Sequence, residues 1–552
     1  MTSRTRSQSP DSPSDRAASV EHNAGAWISR WAADRPDSLA WADSDRRCSY
    51  ARAEDRIQRL TAWLAKSGVG RGDRVALWLG NRGATLEAIF AAARLGAILL
   101  PVNARLTPKE VAFQFDDATP TVLLVERAWR ERADATAQIL RGQPPRLLEV
   151  GVRTAVGRGS VERESNLDAY ERALATSTPS DFCEAVRPDH PMLLMYTSGT
   201  TGEPKGALLP HRKTLYNCRN AELYFGIRQT DRVLVVAPLF HSLGLQILAL
   251  PALYVGAGLV LQQGFEPERV WSAIETEAIT YYGGVPTMHQ RLLDALDRGT
   301  PPMLPESLRF AFSAGAAASS ALIRAFHEHG LLLRQGYGQT ETSTLTCQEA
   351  DRVLTKTGSV GHPVRHAEVR LVDPQTIEGD LEGWRDVAPG AVGEIVVRGP
   401  ITMLGYWRRP EATAETLRGA WLRTGDLATR DEDFDITLVG RAREMYISGG
   451  ENVYPAEVEA TLALHPDIAE VAVVAVPDPE WGEIGRAHVV PVRAGTIEPD
   501  ALSDWLETRL ARFKQPREIV IESALPRTAS GKVQKHLLKK YQTAPLQRTP
   551  SA

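Results

Sequence analysis

Two rhythms of apolar and polar positions alternate along this chain. Positions 51–67 place Ile57, Leu60, Trp63 and Leu64 on one face at helical spacing. A helix is also expected at 23–31, and a hairpin of two short strands at 39–50. Strand, helix and strand then follow at 74–79, 84–95 and 97–101, with a further strand at 121–125. The stretch 127–180 is charged and weakly patterned, and reads as surface helices and loops. Beyond it the alternation resumes: strands at 232–238, 259–262, 279–283 and 309–313, helices at 241–255, 267–277, 286–297 and 320–329. Strands alternating with helices predict parallel sheets covered on both faces. The two runs predict two doubly wound lobes. From about position 358 the texture changes to short strands at 368–372, 393–398, 421–426 and 436–439, a β-rich subdomain. From about 443 comes a helix with Pro455 in its first turn, then strands at 471–476 and 488–492. A helix at 500–513, a strand at 518–521 and a basic helix at 533–541 complete a small α+β domain.

Composition narrows the class. The chain has 552 residues, 43% of them hydrophobic and 24% charged, as in ordinary globular proteins of several units. A formal net charge of −4 gives no footing for nucleic acid. Cys48, Cys183, Cys218 and Cys347 follow no zinc or disulfide spacing, which points to a reducing cytoplasm. The apolar run 90–102 is too short to span a membrane and contains Arg94 and Gly96. The first twenty residues are rich in Ser, Arg and Pro and read as disordered; Asp11 and Asp15 argue against a transit peptide.

Chemistry gathers at five places. Tyr196-Thr-Ser-Gly-Thr-Thr-Gly-Glu-Pro-Lys-Gly206 lies between two apolar runs. Its glycines allow tight turns, and its amides, hydroxyls and lysine suit phosphate oxygens. The P-loop spacing is absent, because Lys205 is followed by Gly206. Gly336-Tyr-Gly-Gln-Thr-Glu341 offers an aromatic ring for a planar base and a carboxylate for a hard cation such as Mg²⁺. Trp421-Leu-Arg-Thr-Gly-Asp426 ends in a carboxylate able to accept ribose hydroxyls. Gly440-Arg-Ala-Arg443 leads to Ser448-Gly-Gly-Glu-Asn-Val-Tyr-Pro455, and Pro526-Arg-Thr-Ala-Ser-Gly-Lys532 precedes the basic helix. Each cluster alone also fits an ordinary polar turn or linker.

Taken in this order, the five clusters resemble the adenylate-forming superfamily of acyl-CoA synthetases, luciferases and peptide-synthetase adenylation domains, over nearly all of 23–541. The resemblance implies an α/β fold: a large N-terminal domain at 23–440 with two doubly wound lobes and a β-rich subdomain. It also implies a small mobile α+β domain at 441–541, with tails at 1–22 and 542–552. It implies that Thr197, Ser198, Gly199, Thr200, Thr201 and Lys205 lie over the ATP β- and γ-phosphates. Gly336, Tyr337 and Gly338 would border adenine, with Gly315 and Ala316 lining the base and acyl pockets. Thr340 would touch the α-phosphate, and Glu341, with Thr200, would hold Mg²⁺. Asp426 and Arg441 would meet the ribose, and Arg443 would be the hinge, although relatives usually carry Asp or Lys there. Lys532 would bridge the carboxylate and α-phosphate during adenylation. Gly449 and Gly450 would face the thiol in the second step.

The implied reaction is ATP-dependent activation of a carboxylic acid as acyl-AMP, then transfer to CoA. His241 and Gly284 would border the acyl pocket, whose small uncharged residues suit a fatty or aromatic acid. His241 alternatively caps the helix that follows it. No residue at 235–238 resembles the aspartate that recognises an amino group. Loading of an acyl-carrier protein, a malonyl-type synthetase, a luciferase-like oxygenase and an inactive sensor are the rival readings. A homodimer is a further possible assembly.

Overall fold

The computed structural model describes residues 22–151, 168–197, 203–299, 304–448, 451–527 and 533–539. Ser198, Gly199, Thr200, Thr201, Gly449, Gly450 and Lys532 lie outside them, as do both expected tails apart from His22. Contact density divides the chain into two units. One comprises Met1–Val369, Val396–Arg423 and Phe434–Ile436; the other comprises Arg370–Ile395, Thr424–Asp433 and Thr437–Ala552.

The first unit contains two large sheets. A seven-stranded sheet runs in the order Gly405–Tyr406, Lys205–Pro210, Pro191–Thr197, Ile98–Pro101, Arg74–Trp78, Val122–Glu126 and Arg146–Val150. Its last five strands in this order pair in parallel, while Lys205–Pro210 runs antiparallel to Pro191–Thr197. The second sheet has nine strands, with Tyr281–Gly284, Phe310–Ser313 and Leu332–Gln339 adjacent and parallel. These central strands read as near-continuous apolar runs because helices cover both faces.

Four differences from the sequence-based expectation have physical causes. The hairpin Leu39–Ala42 and Arg47–Ser49 joins the nine-stranded sheet beside Gly258–Leu261, a long-range pairing that no local pattern reveals. Arg146–Val150, inside the weakly patterned stretch, adds a parallel strand to the edge of the seven-stranded sheet. Helix Pro108–Ala118 is opened by a capping box between Thr107 and Glu110, with Pro108 in its first turn. The expected helix over 241–255 instead begins as a wide π-helical turn, Leu243–Ala249, before Leu250–Val255.

A five-stranded sheet follows the order Glu368–Val372, Gly393–Arg398, Trp421–Arg430 and Leu417–Arg418, with Ile436–Arg441 paired to the long strand Trp421–Arg430. In the second unit, the long antiparallel hairpin Ile468–Asp478 and Gly482–Pro491 centres another five-stranded sheet. Val473, Ala487, Val489, Leu502 and Leu506 form its core with Val458 and Leu462 of helix Pro455–Leu462. The expected basic helix at 533–541 is described only as the short Lys535–Leu538.

Candidate active site

The two ends of the first cluster lie on paired antiparallel strands, Pro191–Thr197 and Lys205–Pro210. Register pairs Tyr196 with Gly206 and Thr197 with Lys205, and the Thr197 hydroxyl donates to the Lys205 carbonyl at 3.4 Å. A Cβ on Gly206 would lie 2.8 Å from Leu194 Cδ1 and 3.2 Å from Tyr196 Cζ, so glycine is required for the Tyr196 ring to cross the hairpin. That ring is anchored by its hydroxyl donating to Asp117 Oδ2 at 2.6 Å.

Glu341 stands close to this hairpin. Lys205 Nζ lies 5.4 Å from the centre of the Tyr406 ring, and the Tyr406 hydroxyl donates to Glu341 Oε1 at 2.9 Å. The Glu341 carbonyl accepts from Met403 N at 2.8 Å, and Trp407 N donates to the Gly206 carbonyl at 2.7 Å. One short segment, 403–407, therefore ties the lysine of the first cluster to the carboxylate of the second. Tyr406 carried no signal of its own in the sequence.

Gly336, Tyr337 and Gly338 lie not in a polar turn but within strand Leu332–Gln339, which pairs antiparallel with Ser343–Cys347. A Cβ on Gly336 would meet Thr346 O at 2.7 Å and Phe312 Cζ at 2.8 Å. One on Gly338 would meet Ser343 O at 1.8 Å. Tyr337 is buried, and Thr340 sits half-buried in the turn between the strands. Ser343 closes this turn at φ +58, a left-handed conformation uncommon without glycine. Beneath it, the fully buried Lys213 donates to the Ser343 hydroxyl. Burial pulls the Lys213 ammonium down to about 7, with the Glu341 charge opposing. Lys213 was also missed, since a lysine early in a helix ordinarily reads as solvated.

The expected acyl-pocket residues cluster at the ends of parallel strands, where open α/β sheets bind ligands. Gly284 pairs with Ser313. His289 Nε2 lies 3.2 Å from the Phe312 carbonyl and 3.4 Å from where a Gly284 Cβ would be. Gly315 takes φ +87, and both it and Ala316 are exposed. His241 packs its ring against Phe240 at 4.6 Å, and its carbonyl accepts from Leu245 N. Gly244 allows this bend, because a Cβ there would lie 2.4 Å from the Ala237 and Pro238 carbonyls. Asn81 braces the segment from the side, donating to the Ala237 carbonyl at 3.1 Å and accepting from Leu239 N at 2.9 Å.

In the second unit Asp426 and Arg441 form an ion pair, Nε to Oδ1, at 2.5 Å. Asp426 N donates to the Thr424 hydroxyl at 3.1 Å, and Ala442 N donates to the Gly425 carbonyl at 2.9 Å. Gly425 permits the bend at φ +68. Arg443 is exposed in the turn just beyond. Ser448 pairs in register with Glu451 between strands Tyr446–Ser448 and Glu451–Val453.

The description of the AMP-binding enzyme family matches residues 28–407, and that of the AMP-binding enzyme C-terminal domain matches 457–532. The chain belongs to the AMP-binding enzymes. This AMP-binding enzyme is 40% identical to feruloyl-CoA synthase of an Amycolatopsis species, over 93% of its own length and 97% of that protein's. It is 39% identical to indoleacetate–CoA ligase of Aromatoleum aromaticum, over 92% and 96% of the two chains. Its fold matches o-succinylbenzoate CoA synthetase from Bacillus subtilis bound to an acyl-adenylate, with a TM-score of 0.81. That match has 29% identity and covers 94% and 99% of the two chains. The same Bacillus enzyme is also solved with ATP and a magnesium ion, at a TM-score of 0.80. The protein is thus an AMP-forming acid–CoA ligase that uses ATP and takes CoA as co-substrate. Among the described residues, no helix is long and apolar enough to cross a membrane.

Proposed function

We propose that this ligase activates an aromatic carboxylic acid, with the work divided among the residues above. Lys205, Thr197 and the loop residues Ser198, Gly199, Thr200 and Thr201 take the β- and γ-phosphates. Gly336, Tyr337 and Gly338 border adenine, and Thr340 touches the α-phosphate. Asp426 and Arg441 take the ribose, Lys532 bridges the carboxylate and α-phosphate, and Gly449 and Gly450 serve the thiol step. The boundary between adenylation and C-terminal domains falls at 440/441, with Arg443 as the hinge. The single observation carrying this reading is the Lys205–Tyr406–Glu341 chain, which sets a cation and a carboxylate beside one hairpin mouth.

The physical problem is that a weak carboxylate nucleophile must approach a polyanion. Fixed cations offset the repulsion and hold the attacking oxygen in line with the α-phosphorus, so catalysis is chiefly positioning and electrostatics. A buried carboxylate held by a tyrosine hydroxyl is the hard oxygen donor that suits Mg²⁺, so Glu341 fits that ion, and Thr200 is the second ligand the resemblance implies. When bound, the ion supplies positive charge against the phosphates.

The acyl side supports an aromatic acid. Gly283 and Gly284 leave a thin wall, since Cβ atoms there would meet Leu248 at 3.0 Å and His289 at 3.4 Å. The His289 ring lies against this wall, with Nε2 3.2 Å from the Phe312 carbonyl. The relatives' names, feruloyl-CoA synthase and indoleacetate–CoA ligase, support the same class. All four cysteines are free, which supports a reducing cytoplasm as the working compartment.

The test is AMP release from ATP with ferulate, indoleacetate, 2-succinylbenzoate and octanoate, each with and without CoA. An aromatic acid should turn over fastest, and only with CoA. Octanoate turning over fastest would overturn the aromatic assignment. AMP release that ignores CoA would point to a different acceptor, such as a carrier protein.

A further inference from the structure

Three residues after Lys532, Lys535 sits in an ion cluster that the reaction scheme leaves unused. Its Nζ lies 2.6 Å from Glu444 Oε2 and 2.8 Å from Glu459 Oε1. Glu459 also accepts from Val473 N at 2.7 Å, so the cluster is fixed to strand Ile468–Asp478. Glu444 directly follows Arg443, the expected hinge, and its backbone N donates to the Arg441 carbonyl at 3.0 Å. The Lys535 and Glu459 side chains are only 20% and 21% exposed, so solvent competes weakly with the pairing. Burial pulls Lys535 down, yet the two carboxylates outweigh it and raise it above the ordinary lysine range. The ammonium therefore stays charged.

The chain on either side of 528–532 is pinned independently. Arg527 and Val533 form an antiparallel bridge, and Gln534 N donates to the Pro526 carbonyl at 2.8 Å. Arg527 pairs with Glu470 at 2.9 Å. Leu538, 1% exposed, packs with Val474, Val476 and Leu525. Apolar burial therefore holds the short helix itself, whereas the Lys535 ion cluster fixes the register of its first residue against Glu444 and Glu459. Two carboxylates on one ammonium define a position more narrowly than one exposed pair does.

We propose that Lys535 is a positioning residue for adenylation, holding the chain next to Lys532 in register with the 441–445 turn through Glu444 and Glu459. The inference rests on the role assigned to Lys532 above. A small misplacement of a reacting-centre cation costs far more than the anchor's own stability, because rate depends steeply on geometry.

The experiment uses the full chain, with the fastest acid of the panel above, and compares Lys535→Met, Lys535→Arg, Glu459→Gln and Lys532→Ala. Two half-reactions are read separately: ATP–pyrophosphate exchange, and thioester formation from supplied acyl-AMP and CoA. Lys535→Met should lower exchange about tenfold or more while leaving thioester formation within about threefold. Lys535→Arg should recover exchange to within about threefold, since a guanidinium also satisfies two carboxylates. Glu459→Gln keeps an oxygen for Val473 and tests the cluster even if Lys535→Met folds poorly; it should lower exchange selectively. Equal losses in both half-reactions would make Lys535 merely structural, and undiminished exchange would remove the role altogether. Lys532→Ala separates the two levels: if it spares exchange, the Lys532 reading falls; if it abolishes exchange while the Lys535 and Glu459 variants do not, only this inference falls.

Discussion

Replacing Tyr406 by Phe removes one atom from the Lys205–Tyr406–Glu341 chain and keeps the rest. The ring remains under Lys205, whose Nζ lies 5.4 Å from its centre, so the cation–π contact survives. What is lost is the hydroxyl that donates to Glu341 Oε1 at 2.9 Å. A hydrogen bond to an ionised group contributes about 1.5–3 kcal/mol net, or about 10- to 150-fold if the reaction expresses all of it. Glu341 is 8% exposed, but Tyr406 is only half-buried, so water can partly replace the hydroxyl. The expectation is therefore the lower end, about tenfold in kcat/KM for ATP–pyrophosphate exchange, accompanied by a higher Mg²⁺ requirement. Tyr406→Leu should lose about threefold more, through the cation–π contact. The decisive measurement is a double-mutant cycle with Glu341→Gln. If Tyr406 acts by aiming that carboxylate, its removal should cost little once the carboxylate is gone. Independent, multiplicative losses in the cycle, or a Tyr406→Phe enzyme within twofold of wild type, would refute the reasoning.

Two further predictions concern the walls of the same unit. His289 is fully buried, and burial lowers it from 6.5 to about 4, with the Phe312 and Gly284 carbonyls opposing. Its folded value is depressed, so its contribution is complete above pH 6.5 and is lost as pH falls towards 4; the whole is worth about 3 kcal/mol. His289→Gln keeps a donor for Phe312, so its stability, followed by thermal unfolding, should fall less than wild type over that window; parallel curves would sink the argument. Gly338→Ala puts a Cβ where Ser343 O now lies, 1.8 Å away, so the hairpin must move. It should cost about 1–3 kcal/mol of stability and reduce exchange more than the stability loss explains; an unchanged melting temperature would contradict the packing.

The glycine-rich clusters were readable because glycine marks places where backbones must approach closely, and the clashes at Gly206, Gly336 and Gly338 are that requirement in atomic form. The parallel-sheet class was readable because alternation of period two and period 3.6 is local. Sheet order was not, since the hairpin at 39–49 chooses its partner at 258–261 by long-range burial. Asn81, Tyr406 and Lys213 escaped for the same reason: each acts on a segment far away in the chain, and nothing around it in sequence is periodic. Lys213 makes the point most sharply. Among the residues His211 to Thr214 it looks like part of a solvated helix start, yet the helix His211–Phe225 turns it fully inward. A buried ammonium is costly unless something opposite accepts it, and the Ser343 hydroxyl and the nearby Glu341 charge meet that need. The contact joins residues 130 apart in sequence. It fastens the helix that follows strand Lys205–Pro210 to the turn that carries Thr340 and Glu341. The spacing between the first two clusters is thus held from below by a residue belonging to neither, and a reading confined to motifs finds the parts without the brace.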